Sequence, residues 1–163
     1  MDLWIVSLSH FLHITATVVW IGGIFMTLLV ILPGSKTALE SAPLVGKLMK
    51  EIGQRFTSLA NMSIWILIVS GLTLLYANRK FISMSDFSTI WNNIIFWKIA
   101  VVAVMVCIHF YRGLILNQKI IVSATHANET KTAGLRKFSL DLVKINLILG
   151  IAVLVFTAVL ISS

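Results

Sequence analysis

The sequence of 163 residues has little of two residue classes, and each shortage excludes a kind of protein. Its one cysteine cannot make an internal disulfide or a metal cluster built from several cysteines. Charged residues make up 12% of the chain, about half of the share found in soluble domains. Together with 58% hydrophobic residues, this excludes a soluble enzyme, a disordered chain and a secreted disulfide-rich module.

The few charges that are present are mostly basic. Thirteen Lys and Arg residues against six Asp and Glu give a formal net charge of +7. A basic balance can indicate a nucleic-acid partner, but the apolar content favours a lipid bilayer, with the basic residues sorted among the loops. We therefore expect a membrane protein and no nucleic-acid partner.

Four apolar stretches occur, at residues 3–32, 57–77, 93–116 and 142–161. Each reaches the ~20 residues that a helix needs to cross a bilayer. The first lacks a basic leading region, so we do not expect a cleaved signal peptide. Pro33 and Gly34 are expected to end the first helix, because proline lacks a backbone donor and glycine permits a sharp turn. The pattern predicts an all-α integral membrane four-helix bundle, with residues 1–163 forming a single domain.

The basic residues alternate from one connection to the next. Ten lie after the first span or around the connection between the third and fourth spans, and three lie on the opposite side. Since cytoplasmic loops carry the excess of Lys and Arg, both termini are predicted to lie on the outer, periplasmic side. The protein is therefore expected to be a multi-pass protein of the inner (plasma) membrane.

The ionisable residues deep within the spans are histidines, and no Asp or Glu lies deep there, which argues against a proton pump. His13 follows Trp4 by nine residues, or roughly 13 Å of helix, and His109 follows Trp97 by twelve, or roughly 18 Å. The two imidazoles are therefore predicted to lie at similar depth and to bind the iron of one haem b from opposite faces. His10, about 60° around the helix from His13, is the reserve ligand.

Residues near these histidines suit a haem. Trp20 shares the face of His13 and is expected to stack along the macrocycle. The candidate cations for pairing with the haem propionates are Lys98, Arg112 and Arg55. The plainer alternative is that the histidines form hydrogen bonds in a packed core.

Short motifs are spread along most of the chain. They are Leu12-His13-Ile14 with Val19-Trp20-Ile21-Gly22-Gly23, Arg55-Phe56 leading to Ser70-Gly71-Leu72, Trp97-Lys98 followed by His109-Phe110-Tyr111, and Arg136-Lys137-Phe138. In these motifs the chain resembles the copper-resistance protein D (CopD) family, and it is also similar to the HemJ-type protoporphyrinogen oxidase family.

The two resemblances imply different chemistry. The HemJ-type family implies a haem b in a small helical bundle and oxidation of protoporphyrinogen, with His13 and His109 as its histidines and Lys98 as its lysine. This chain has Gly34 where that family has a further histidine. The CopD family implies copper handling. The six methionines are scattered, and His10-x-x-His13 is the spacing that fits a copper site.

Three functions remain open at this point. The first is a cytochrome b-like protein that transfers electrons between a membrane quinol and a redox protein partner, or a membrane haem oxidoreductase that acts on a small substrate. The second is a copper transporter or chaperone that uses His10 and His13. The third is a structural or assembly subunit. A homodimer would complete the cover of a flat macrocycle.

Overall fold

The computed structural model describes residues 2–39, 41–78, 89–126 and 129–162, and every regular element within these ranges is helical. Four long helices result: α1 (Leu3–Ala38), α2 (Ala42–Ala77), α3 (Ile90–Thr125) and α4 (Glu129–Ser162). Their mean hydropathies of 2.3, 1.8, 2.2 and 2.6 make each apolar enough to cross a membrane. The predicted all-α fold with four membrane-spanning helices is confirmed.

Large apolar side chains cover the outside of these helices. Leu3 is 80% exposed, and Phe11 and Ile148 are 64% and 66% exposed. A water-soluble bundle would bury such residues, whereas lipid tails are as apolar as the side chains themselves. The outer faces therefore contact the bilayer.

The helices are longer than the predicted spans. α1 continues to Ala38 rather than ending at residue 32, and α2 begins at Ala42 rather than at residue 57. A helix of 36 residues is about 54 Å long, well beyond the ~30 Å of the hydrocarbon core. Hydropathy identifies only the part of a helix that lies in lipid. The predicted spans are too short because the polar turns beyond that part keep their helical hydrogen bonds.

The prediction that Pro33 and Gly34 end the first helix is wrong. A π-helical segment, Thr27–Ile31, precedes the proline, and Pro33 then occupies the first turn of the α-helical segment Leu32–Ala38. The change from π-helical to α-helical hydrogen bonding directly before Pro33 lets the chain stay helical through a residue that lacks a backbone donor. The helix instead ends at Leu39, whose backbone is extended.

The helices pack as two compact units, Met1–Asp86 and Phe87–Ser163. The first hairpin consists of α1 and α2, and the second hairpin consists of α3 and α4. The single-domain organisation predicted for residues 1–163 stays a prediction.

The first hairpin is held by small residues that recur every seven positions. Ser9, Ala16 and Gly23 follow this spacing on α1. On the antiparallel helix the matching positions are the small residues Ser63 and Ser70 and the large residue Phe56, which lies opposite Gly23. Gly23 lies directly against the Phe56 ring, and a Cβ atom at this position would overlap that ring. A seven-residue repeat of small residues lets the two backbones approach closely.

The second hairpin follows the same seven-residue spacing. At its connected end, the Thr132 hydroxyl donates a hydrogen bond of 3.0 Å to Ser123 Oγ, and both residues are buried. Counting seven residues at a time from this pair leads to Leu116 and then to His109 on α3. The same count along α4 reaches Asn146 after two repeats. His109 and Asn146 therefore belong to one layer of the second hairpin.

Candidate metal-binding histidines

The imidazole of His13 is fixed by a side chain of the other helix in the first hairpin. Its Nδ1 lies 2.9 Å from Ser70 Oγ. The single hydroxyl proton of Ser70 is directed to the Ile66 carbonyl oxygen at 2.6 Å. Since that proton is already donated, Nδ1–H of His13 is the donor to Ser70. In the neutral form of the ring, this hydrogen-bond arrangement assigns the proton to Nδ1 and the lone pair to Nε2.

Close packing around His13 keeps the ring in this place. A Cβ atom added at Gly71 would lie 3.2 Å from Cε1 of the imidazole, so glycine leaves the room that the ring needs. The Thr17 hydroxyl donates to the His13 carbonyl oxygen at 2.7 Å, within the same helix. The Gly71 contact and the hydrogen bond to Ser70 favour one position of the ring against α2, whereas the Thr17 bond is to the backbone of α1.

His10 lies one turn before His13 and has a different environment. It is exposed, whereas His13 is partly buried. A spacing of three residues places the two imidazoles on neighbouring parts of one helix surface. Among the described residues, no group of three or more His, Cys, Asp or Glu side chains could hold a metal ion. Any metal bound here by such residues would have at most two of them as ligands.

Trp20 is only 2% exposed and lies with Ile24 among the core residues. Both side chains therefore lie on the buried side of α1. Stacking of Trp20 along a macrocycle stays a prediction.

His109 is buried in the second hairpin and is 4% exposed. Its ring meets the Phe110 ring edge-on, with 5.5 Å between the ring centroids. One turn earlier on the same face lies Met105, which is 1% exposed. His109 belongs to the second unit and His13 to the first. Their joint ligation of one iron stays a prediction.

The three cations proposed for propionates differ in exposure. Lys98 and Arg112 are partly buried along α3, and Arg55 is exposed on α2. Long basic side chains within a span can extend their charged ends towards the headgroups. Their roles as propionate partners stay predictions.

A groove of about 290 Å³ lies on the first hairpin, and Ser70, the hydrogen-bond partner of His13, forms part of its wall. Its apolar lining includes Leu12, Trp65 and Val69. Hydroxyl groups from Ser9 and Ser70 lie on the same surface. The hydroxyl that holds His13 is thus close to the lipid-facing side of the hairpin.

Sequence reasoning missed Ser70 as the partner of His13. A helix-by-helix analysis shows which residues share a face, but the partner on another helix depends on the register between helices. The repeats Ser9-Ala16-Gly23 and Phe56-Ser63-Ser70 carried that information, because aligning them antiparallel brings Ser70 near the His13 turn.

The four apolar helices and their intramembrane histidines define a multi-pass membrane protein with candidate metal ligands. A family model described as "Copper resistance protein D" (CopD) matches residues 50–160, about two thirds of the chain. The chain belongs to this family, and it is a multi-pass protein of the inner membrane. No curated protein and no solved structure gives a significant match.

The family result confirms the predicted CopD resemblance. It covers α2, α3 and α4 and therefore includes His109, whereas His10 and His13 precede the matched residues. It favours the copper alternative over the haem hypothesis, and the HemJ-type resemblance stays a prediction.

Proposed function

We propose that this protein handles copper ions within the inner membrane and supports their passage across it. The observation that carries the proposal is the CopD match over residues 50–160. In this function copper is the transported ion. Weak, short-lived binding at successive ligands therefore suits transport better than a site that coordinates the ion fully.

The first hairpin supplies a suitable first ligand. Neutral imidazole is a good copper ligand, and the hydrogen bond from Nδ1 to Ser70 leaves the lone pair of His13 on Nε2. His10, exposed one turn away, is placed to bind the ion with His13. Both are neutral donors, so the ion keeps its charge and is not trapped by a carboxylate.

The direction of passage follows from the distribution of basic residues. The positive-inside bias favours a periplasmic position for both termini, and His10 and His13 lie near the N-terminus. On this proposal, copper reaches the pair from the periplasmic half of the membrane.

The haem hypothesis is the second candidate, because the same Nε2 lone pair also suits an axial iron ligand. In it His13 and His109 hold a haem b, and Lys98, Arg112 or Arg55 pairs with the propionates. The haem would supply one-electron chemistry with a quinol or a redox protein, and a homodimer would complete its cover.

The deciding experiment compares metal content and absorption of the protein purified in detergent after copper loading under reducing conditions. We expect colourless protein that retains copper, with a marked loss of copper in His13→Ala. His126→Ala is the matched control, because His126 is exposed at the end of α3. Sharp bands of reduced low-spin haem, lost in both His13→Ala and His109→Ala, would replace this proposal with the haem hypothesis. Protein with neither copper nor haem would leave a structural role.

A further inference from the structure

Met105 and His109 form a pair of potential metal ligands within the second hairpin. They are four residues apart on α3, so their side chains lie on one face of the helix. Both are buried, with 1% and 4% of their surface exposed. A spacing of four residues places the Cβ atoms about 5–6 Å apart, and two histidines at this spacing hold zinc in metalloproteases. The pair can therefore bind one ion between its two side chains.

The register of the hairpin shows which residues of α4 face this pair. His109 precedes Ser123 by fourteen residues, and Asn146 follows Thr132 by fourteen. Because Thr132 and Ser123 are hydrogen-bonded, equal counts along two antiparallel helices reach about the same level. By the same count, Met105 is level with Gly150, which is buried and has no side chain. The amide of Asn146 is thus the polar group of α4 at the level of the imidazole.

Asn146 has an unused acceptor. It is 4% exposed, and its Oδ1 atom is buried without a hydrogen-bond partner among the residues that the structure describes. Leaving a buried carbonyl oxygen without a donor costs about 1–3 kcal/mol, so such an atom needs an explanation. A metal-bound histidine usually donates its other ring N–H to a carbonyl or carboxylate oxygen. Asn146 Oδ1 is an acceptor of this kind in the layer of His109.

We propose that Met105 and His109 form a Cu(I) site in the second hairpin, and that the unused Oδ1 of Asn146 accepts the other ring N–H of His109 when the ion is bound. This inference rests on the proposed copper function and adds a second binding position to it. A thioether is a soft donor and selects Cu(I), whereas Zn²⁺, Ca²⁺ and Mg²⁺ prefer other ligands. The donors are neutral, so the bound ion carries a single positive charge.

The test uses full-length protein in detergent, loaded anaerobically with Cu(I) and studied by copper K-edge X-ray absorption and by competition with a Cu(I) chelator. We expect a sulfur ligand beside nitrogen in the wild type. Met105→Leu conserves volume, removes that sulfur ligand and weakens Cu(I) binding at this site at least about tenfold. Met62→Leu makes the same change at an exposed methionine of the first hairpin and leaves both readouts unchanged. Asn146→Leu keeps the sulfur ligand and weakens binding about 10–100-fold, because the imidazole ligand loses its hydrogen-bond acceptor.

Two outcomes separate this inference from the copper function. A sulfur-free copper shell, unchanged by Met105→Leu and lost in His13→Ala, would overturn the Met105–His109 site and leave the copper function standing. A sulfur ligand that disappears in Met105→Leu supports the site. If proteoliposomes of that wild type then fail to accumulate Cu(I), the site stands and the transport function falls.

Discussion

The two hairpins share a seven-residue packing pattern, but different polar side chains lie near the histidine of each. In the first hairpin, small residues at seven-residue intervals bring the helices together, and the hydroxyl of Ser70 defines the proton position on His13. In the second hairpin the same interval places buried His109 level with Asn146, whose Oδ1 has no partner among the described residues. The first arrangement satisfies its histidine by direct hydrogen bonding, and the second retains an acceptor. The difference shows that helices packed with the same spacing can surround their histidines with different polar side chains.

The largest expected effect tests the close packing of the first hairpin. Gly23→Ala places a methyl group against the Phe56 ring, which must move, and we expect a loss of about 1–3 kcal/mol in stability. Gly22→Ala is the control, since nothing lies within 4 Å of a Cβ atom there. Thermal unfolding in detergent measures both variants. Equal midpoints for the two variants would contradict the close contact.

The next effect concerns the hydrogen bond of His13. Ser70→Ala removes the acceptor of Nδ1–H, and we expect a loss of about 1 kcal/mol and a mixture of ring tautomers. Nitrogen NMR of labelled histidine should show a predominant Nδ1–H form in the wild type. Ser63→Ala, one repeat earlier on α2, should leave that signal unchanged. A wild-type ring protonated on Nε2 would refute the assignment.

A matching change in the second hairpin tests the pair that sets its register. Ser123→Ala removes the acceptor of the 3.0 Å hydrogen bond from Thr132, with an expected loss of about 0.5–1.5 kcal/mol. Chemical unfolding of the variant measures this loss. Ser162→Ala, an exposed hydroxyl of α4, should change stability little. Indistinguishable stabilities in the two variants would argue against a structural role for the Ser123–Thr132 contact.

The smallest effect belongs to the surface of the second hairpin. Lys144 and Asp141 form an ion pair of 3.1 Å, but both side chains are largely exposed. Lys144→Ala should therefore change stability by at most about 0.5 kcal/mol, and added salt should shrink the change further. A loss above 1 kcal/mol would show that this exposed pair contributes as much as a buried contact.

The sequence predicts the helices better than their ends. Long apolar stretches identify all four helices, whereas the bounds of the helices differ from the predicted spans. The polar turns beyond Leu32 remain helical because a π-helical segment accommodates Pro33. The helix propensities of single residues do not predict a π-helical segment, so the end of this helix could not be predicted from the sequence.

The candidate site was only partly accessible from the sequence. The histidines stand out because ionisable residues are rare in lipid-spanning helices. The polar residues on the neighbouring helices do not stand out, because Ser70 and Asn146 are ordinary residues until the antiparallel register is known. The choice between copper and haem is a further step, since imidazole binds both, and the family match is what favours copper.

Because the helices are longer than the hydrocarbon core is thick, part of each hairpin lies in lipid and part lies in water or among headgroups. About 24 Å of a 36-residue helix exceeds the hydrocarbon thickness, so part of every hairpin is solvated by water or headgroups while the rest is solvated by acyl chains. Urea or salt should therefore loosen the water-exposed turns while the lipid-embedded turns stay paired, and changing bilayer thickness should act mainly on the embedded turns. Unfolding of this protein is accordingly expected to proceed in stages rather than in one cooperative step.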